Sequence, residues 1–147
     1  MFWLLWILIG CSSMVCVPPL AKTPFMAPCG CVHAIQVKME LSVPLYSLFP
    51  LVSMLAGDVA EALVLSTRQV EIVGASMDSQ DTDYSVVDMN LVPLGQEFDN
   101  ITALLIYRKL WQRELVLNAT LFGNYSVIYV LYPGNLRKFV LHVWLFG

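Results

Sequence analysis

The sequence has few charged side chains of either sign and almost no histidine. Of its 147 residues, eight are Lys or Arg, eleven are Asp or Glu, and two are His. The basic residues are scattered and the net charge is −3, whereas neutralising a nucleic-acid backbone requires clustered Lys and Arg side chains. The composition therefore excludes nucleic acid as a partner.

Residue types on which common enzyme chemistry depends are also missing. The two histidines, His33 and His142, lie outside the predicted core, so a serine or cysteine nucleophile would lack its base. There is no glycine-rich loop to hold a phosphate. Asp78, Asp81 and Asp83 lack the closing Glu and the sharp-turn Gly of a calcium loop, which favours a solvated hairpin loop. The sequence thus predicts no enzyme, no metal site and no cofactor.

Long apolar runs are confined to the N-terminus. The run Phe2 to Ile9 predicts a signal peptide that is cleaved between Cys11 and Cys16, so we assign it to residues 1–15. Beyond it no stretch approaches the roughly 18 to 20 apolar residues that cross a bilayer. The hydrophobic content of 58% is therefore assigned to buried strands and helices.

All four cysteines lie in the first 31 residues. After removal of the leader, Cys16, Cys29 and Cys31 are the disulfide candidates. A bond between Cys29 and Cys31 across one glycine would be strained, so we expect Cys16 to pair with either of them. The third thiol would be unpaired or linked to another chain. A zinc site would need a second ligand pair, and only His33 is nearby.

Three acceptor motifs for N-linked glycan cluster within residues 100–126. They are Asn100-Ile101-Thr102, Asn118-Ala119-Thr120 and Asn124-Tyr125-Ser126. Behind a signal-like N-terminus they predict a glycoprotein that is secreted or lies on the cell surface. Each acceptor asparagine must be exposed, so we expect any partner surface elsewhere, on the sheet face or on the 75–84 hairpin.

The pattern along the chain predicts an extended segment followed by one folded module. Residues 16–32 are rich in Cys and Pro, and the four prolines between Val17 and Pro28 should prevent a strand ladder in that stretch. Residues 33–134 form the module, and residues 135–147 an apolar tail too short to span a membrane. This tail would either add an edge strand or leave apolar surface exposed.

Periodicity within the module predicts four strands and two helices. Ile35, Val37, Met39 and Leu41 alternate with polar residues, as in a strand with one wet face. The other predicted elements are a helix from about Leu48 to Leu63 with Pro50 in its first turn, strands Gln69–Val73 and Ser85–Leu94, a helix from Asp99 or Asn100 to about Trp111, and a strand Tyr125–Tyr132.

This order of elements predicts an α+β fold of the ferredoxin-like βαββαβ kind, an antiparallel sheet backed by two helices. It would place the first and third strands centrally and leave the regions near residues 70 and 128 at the edges. A β-only sandwich is the alternative if both helix assignments are wrong.

Five aromatic residues in the second half could form a carbohydrate or peptide platform. They are Trp111, Phe122, Tyr125, Tyr129 and Tyr132. Their spacing is that of strands and helices, which favours a place in the core.

Ordered short motifs extend over most of the chain. They include Pro28-Cys29-Gly30-Cys31-Val32, Gln69-Val70, Gly74-Ala75, Leu91-Val92-Pro93-Leu94-Gly95, Phe98-Asp99-Asn100 and Tyr132-Pro133-Gly134. By these motifs Cys16 through Gly134 resembles the extracellular N-terminal domain of plant receptor-like serine/threonine kinases of the Abnormal Leaf Shape type.

The resemblance implies a non-catalytic extracellular recognition module of a receptor kinase, without its transmembrane and kinase parts. It would be secreted or lie on the outer face of the plasma membrane, with Cys16 in the mature domain. Its partner would be an extracellular peptide, protein or cell-wall ligand, with a co-receptor among the candidates. The alternative is a secreted carbohydrate-binding or hydrolytic apoplastic protein.

Overall fold

The structure is a computed structural model that describes residues 15–17, 20–24 and 26–132. The assigned signal peptide, except Val15, therefore lies outside the described residues, as do Cys11, His142 and the 135–147 tail. The strands are β1 (Leu20–Lys22), β2 (Cys31–His33), β3 (Ile35–Leu41), β4 (Val70–Met77), β5 (Ser85–Leu91) and β6 (Tyr125–Leu131). The helices are α1 (Leu45–Leu48), α2 (Val52–Ala62), α3 (Asn100–Trp111) and α4 (Ala119–Phe122), with 3-10 turns at Phe49–Leu51 and Thr67–Gln69.

The main sheet has four antiparallel strands in the order β4-β5-β3-β6. The α+β class is thus confirmed, and so is the central position of the first and third predicted strands. One end of the sheet is marked by Leu41, which pairs with Ser85 of β5 and Tyr125 of β6. Both edge strands contain a register shift, near Val73 and near Ile128, and such bulges discourage edge-to-edge pairing.

The core lies between one face of this sheet and the helices. The four apolar residues of β3 that alternate in the sequence are at most 1% exposed. Side chains from α1, α2 and α3 pack against them, among them Leu48, Leu55, Val59, Ile106 and Leu110. Each such side chain contributes about 1.5 to 3 kcal/mol when it leaves water. Alternation in the strand and the three- and four-residue steps in the helices therefore supply one continuous apolar layer.

The first predicted helix begins earlier than expected and is interrupted at Pro50. A proline inside a helix lacks the N–H donor and clashes with the carbonyl four residues back. The chain accommodates it in the 3-10 turn Phe49–Leu51, between α1 and α2. By length and composition alone, Leu45–Ala62 could cross a membrane, contrary to the expectation that no such stretch follows the leader. Its buried residues, however, form the core against the sheet.

The second predicted helix is confirmed as α3. Asp99 is its N-cap, and one carboxylate oxygen accepts a 2.7 Å hydrogen bond from the backbone N–H of Thr102. The other carboxylate oxygen accepts from the Thr102 hydroxyl at 3.0 Å. Leu104 and Leu105, which blur the helical pattern, are on the exposed side.

The prediction that prolines prevent a ladder between Val17 and Pro28 is wrong. β1 occupies three residues between Pro19 and Pro24 and pairs antiparallel with β2. None of these three residues is proline, so their backbone donors are available. The small sheet is held by a second apolar cluster of Ala21, Val32, Ala34 and Val92, which attaches it beyond the end of β5.

Two further boundaries differ from the sequence prediction. The predicted loop 75–84 is shorter, because β4 continues beyond its bulge and pairs Ala75 with Val87 and Met77 with Ser85. The helix α4 is not predicted, because four residues are too few to show periodicity. Its N-cap Asn118 accepts backbone hydrogen bonds from Thr120 and Leu121.

Candidate recognition surface

The main sheet has a second face whose side chains are partly or fully exposed, and we call it the open face. Since side chains alternate along a strand, it is formed by the residues between the core positions. They are Gln36, Lys38 and Glu40 of β3, Val86, Asp88 and Asn90 of β5, Glu71, Gly74 and Ser76 of β4, and Ser126, Tyr129 and Leu131 of β6.

The centre of the open face combines charges of both signs with an aromatic ring. Lys38 lies directly opposite Asp88 on one side and Tyr129 on the other. Opposite charges at such cross-strand positions attract each other by roughly 0.2 to 1 kcal/mol. Glu40 and Glu71 add negative charge around this row. The arrangement offers donors, acceptors and an apolar ring to a partner, and these groups are distributed over all four strands.

The hairpin that joins β4 to β5 carries Asp78, Asp81 and Asp83 and lies at the end of the sheet near Glu40. Asp78 accepts a 2.8 Å hydrogen bond from the Gln80 backbone N–H, which lowers the pKa of the Asp78 carboxyl. A hydrogen bond with Asp78, followed by burial, raises the pKa of Glu40. Asp81 similarly accepts from the Asp83 N–H at 2.9 Å. These carboxylates stabilise the turn itself, and within the described residues no group of three or more His, Cys, Asp or Glu could hold a metal.

The three acceptor asparagines are exposed, and Asn100 and Asn118 belong to elements outside the main sheet. Asn100 is the first residue of α3, and Asn118 caps α4 with its side-chain oxygen. Asn124 precedes β6, where its backbone N–H donates a 2.7 Å hydrogen bond to the Ser42 hydroxyl. Two acceptors therefore belong to the helical layer and one to the end of the sheet. Their glycosylation stays a prediction.

The cysteines join the N-terminal segment to the small sheet. Cys16 is bonded to Cys31 of β2, with 5.7 Å between their Cα atoms. Cys29 is also disulfide-bonded. Of the two pairings predicted for Cys16, the structure adopts the one with Cys31. None of the three cysteines in the described part of the chain has a free thiol, so the expected unpaired thiol is not found among them.

The five aromatic residues do not form one platform. Phe122 and Tyr132 are buried at 0% and 2% exposure, and the Tyr132 ring packs edge-on against Phe98 at 6.2 Å. The Tyr125 hydroxyl accepts a 2.9 Å hydrogen bond from the Leu115 N–H. Trp111 lies at the end of α3, whereas Tyr129 is on the open face. The core interpretation is right for Phe122 and Tyr132.

The sequence indicates the sheet face as a candidate partner surface but does not show which residues form it. The alternation along β3 indicates an exposed face, because Gln36, Lys38 and Glu40 separate the buried positions. The alternation is weaker in β6, whose sequence is almost wholly apolar. The register that brings Lys38 beside Asp88 and Tyr129 becomes visible only when the strands are paired.

Comparison with known proteins identifies the family. The model of the receptor-like PK ALE2 N-terminal domain matches residues 17–136. The chain is 49% identical over 122 residues to the receptor-like serine/threonine-protein kinase ALE2 of Arabidopsis thaliana, covering 83% of this chain and 16% of that protein. No solved structure matches. The matched part is the N-terminal domain and does not include a kinase domain. The resemblance noted in the sequence is thereby confirmed, and the chain belongs to the family of ALE2 receptor-like kinase N-terminal domains.

Proposed function

We propose that this chain is a non-catalytic extracellular recognition module that binds its partner through the open face of the main sheet. The observation that carries the proposal is the placement of the acceptor asparagines. Asn100 and Asn118 are exposed in the helical layer, and Asn124 is exposed at the end of the sheet, five residues before Tyr129. Glycans on Asn100 and Asn118 would leave the Lys38, Asp88 and Tyr129 row accessible.

The proposed location is outside the cell, either secreted or on the outer face of the plasma membrane. The disulfide between Cys16 and Cys31 supports an oxidising compartment. The relative is a receptor-like kinase of which this chain matches the N-terminal domain. The partner would be an extracellular peptide, protein or cell-wall ligand, and a co-receptor is one such protein. The mixed charges of the open face suit a polar partner surface.

We also propose that the fold is ferredoxin-like. The order β4-β5-β3-β6 supports this assignment, as do the two helical crossovers that connect β3 to β4 and β5 to β6. In this arrangement both crossovers pack on one face of the sheet, and the other face remains available to a partner.

Binding to plant cells tests the proposed function. The chain is produced in a plant secretory system, biotinylated and titrated onto intact protoplasts, with excess unlabelled chain as competitor. We expect saturable, competable binding. Lys38→Glu should weaken it at least tenfold, because it adds a fourth carboxylate beside Asp88, Glu40 and Glu71 at the centre of the open face. Lys22→Glu is the matched control, since Lys22 is exposed on β1, which belongs to the small sheet and not to the main one.

Secretion with glycan on the acceptor asparagines and loss of binding only in Lys38→Glu would support both location and surface. Equal loss in both variants would show that net charge, and not the open face, governs binding. Retention of the unglycosylated chain inside the cell would contradict the extracellular assignment. Circular dichroism of both variants establishes that they are folded.

A further inference from the structure

The outward side of α3 carries an apolar patch near its start. Ile101, Leu104 and Leu105 are 74%, 47% and 42% exposed. Residues three and four apart share one side of a helix, so these three form a contiguous surface that we call the α3 patch. Ile106 and Leu110 lie on the opposite, core-facing side and are at most 2% exposed. The helix is thus apolar on both sides.

The acceptor asparagine Asn100 stands at the head of this patch. Its motif Asn100-Ile101-Thr102 includes one patch residue, and Leu104 lies one helical turn beyond Asn100 on the same side. At 1.5 Å per residue, all three patch residues lie within about 8 Å of Asn100 along the helix axis. Asn118, by contrast, caps α4, and Asn124 directly precedes β6.

We propose that an N-linked glycan on Asn100 covers the α3 patch. This inference rests on the N-glycosylation in the proposed function. Exposed apolar patches on soluble proteins promote association, and a glycan is a bulky, hydrated group. The C–H faces of its first sugar rings can pack on Ile101, Leu104 and Leu105 while their hydroxyls remain in water. The glycan then shields the apolar α3 patch from other molecules and presents hydrated sugar hydroxyls in its place.

The test compares the secreted chain with Asn100→Gln and with the matched control Asn124→Gln. The N-cap Asp99 is unchanged in Asn100→Gln, so α3 keeps its cap. Glycopeptide masses establish which asparagines are occupied. The fluorescence of an environment-sensitive hydrophobic dye then measures exposed apolar surface, and light scattering against concentration measures association.

We expect Asn100→Gln to bind at least threefold more dye than the unmodified chain and to associate at lower concentration, whereas Asn124→Gln stays unchanged. Adding Leu104→Gln and Leu105→Gln to Asn100→Gln should return dye binding to the starting value, which assigns the signal to the patch. Glutamine is a good helix former, so α3 is retained. Thermal unfolding verifies that each variant is folded.

Other outcomes overturn the proposal. If Asn100 carries glycan and Asn100→Gln binds no extra dye, the patch is not covered by that glycan, while the proposed function stands. If Asn118 and Asn124 carry glycan and Asn100 does not, the α3 patch is likewise not covered by a glycan on Asn100, while the proposed function stands. If deletion of the tail, residues 135–147, raises dye binding and Asn100→Gln does not, the tail and not the glycan covers the patch. If the glycosylated chain forms a dimer that Leu104→Gln dissociates, a second copy of the chain and not the glycan covers the α3 patch. If no asparagine is occupied and the chain is not secreted, the proposed function fails as well.

Discussion

Gly123 and Gly57 differ in the space around them and in backbone conformation. Gly123 joins α4 to β6 with φ +65, and a Cβ built on it would lie 2.9 Å from the Ser42 carbonyl oxygen. Gly57 is in the middle of α2, and a Cβ there would meet nothing within 4 Å. Glycine is thus required at position 123, by its positive φ and by the nearby Ser42 backbone, whereas at position 57 another residue would fit.

The first prediction uses this pair. Gly123→Ala should lower the free energy of unfolding by at least about 2 kcal/mol, because it combines left-handed strain with a clash against backbone. Gly57→Ala should raise it by about 0.5 to 1 kcal/mol, because alanine is the better helix former and the space is open. Urea unfolding of the two variants measures both values. A destabilised Gly57→Ala would contradict the open space beside α2.

At the scale of elements, strong periodicity and caps determined which segments were predictable. The strict alternation of β3 and the Asp99 cap of α3 are local signals, and both elements lie where the sequence places them. The short elements β1 and α4 have too few residues for a period. The 3-10 turn at Pro50 has three residues and likewise shows no period. Elements shorter than one clear period are therefore the ones that sequence reasoning missed.

The second prediction concerns the Asp99 cap. The hydrogen bonds from the Thr102 backbone N–H and from its hydroxyl lower the pKa of Asp99 from its ordinary value of 3.8. A lowered folded-state pKa means stability that is fully present above the unfolded pKa and lost as pH falls through the folded pKa. Asp99→Ala should therefore lower the melting temperature at pH 7. The difference from the unmodified chain should shrink below about pH 4, where the unfolded carboxyl titrates.

Thermal melts of both chains between pH 7 and pH 2.5 measure this difference. Glu97→Ala is a suitable control, because Glu97 is an exposed carboxylate just before the helix. A difference that stays constant down to pH 2.5 would show that the Asp99 charge is not what stabilises the start of α3.

At the scale of the whole molecule, two units are joined at one end of the main sheet. The small sheet β1-β2 packs through its own apolar cluster, including Val32 and Val92. Val92 directly follows β5, and Ala34 directly precedes β3, so the two central strands of the main sheet hold the small one in place. The disulfide Cys16–Cys31 closes a loop around β1.

The third prediction follows from that loop. Replacing both Cys16 and Cys31 with Ser should lower stability by about 3 kcal/mol, the loop-closure value for some 15 residues. The loss should concentrate in the small sheet, because the main sheet has a separate core. Hydrogen exchange should therefore accelerate at β1 and β2 and remain slow at β3 and β5. Equal acceleration in all four strands would show that the two sheets unfold as one unit.

The sequence by itself determined the α+β class, the central β3 and β5 strands, the capped helix α3 and the family. Alternation, helical steps and caps depend on neighbouring residues, so the sequence shows them directly. Only the tertiary structure decided which cysteine pairs with Cys16, where β4 ends and which side chains share the open face. These depend on strand register and on contacts between residues far apart in the chain, such as Lys38 with Tyr129. Such contacts leave no local pattern, because their energy arises only when the strands are paired.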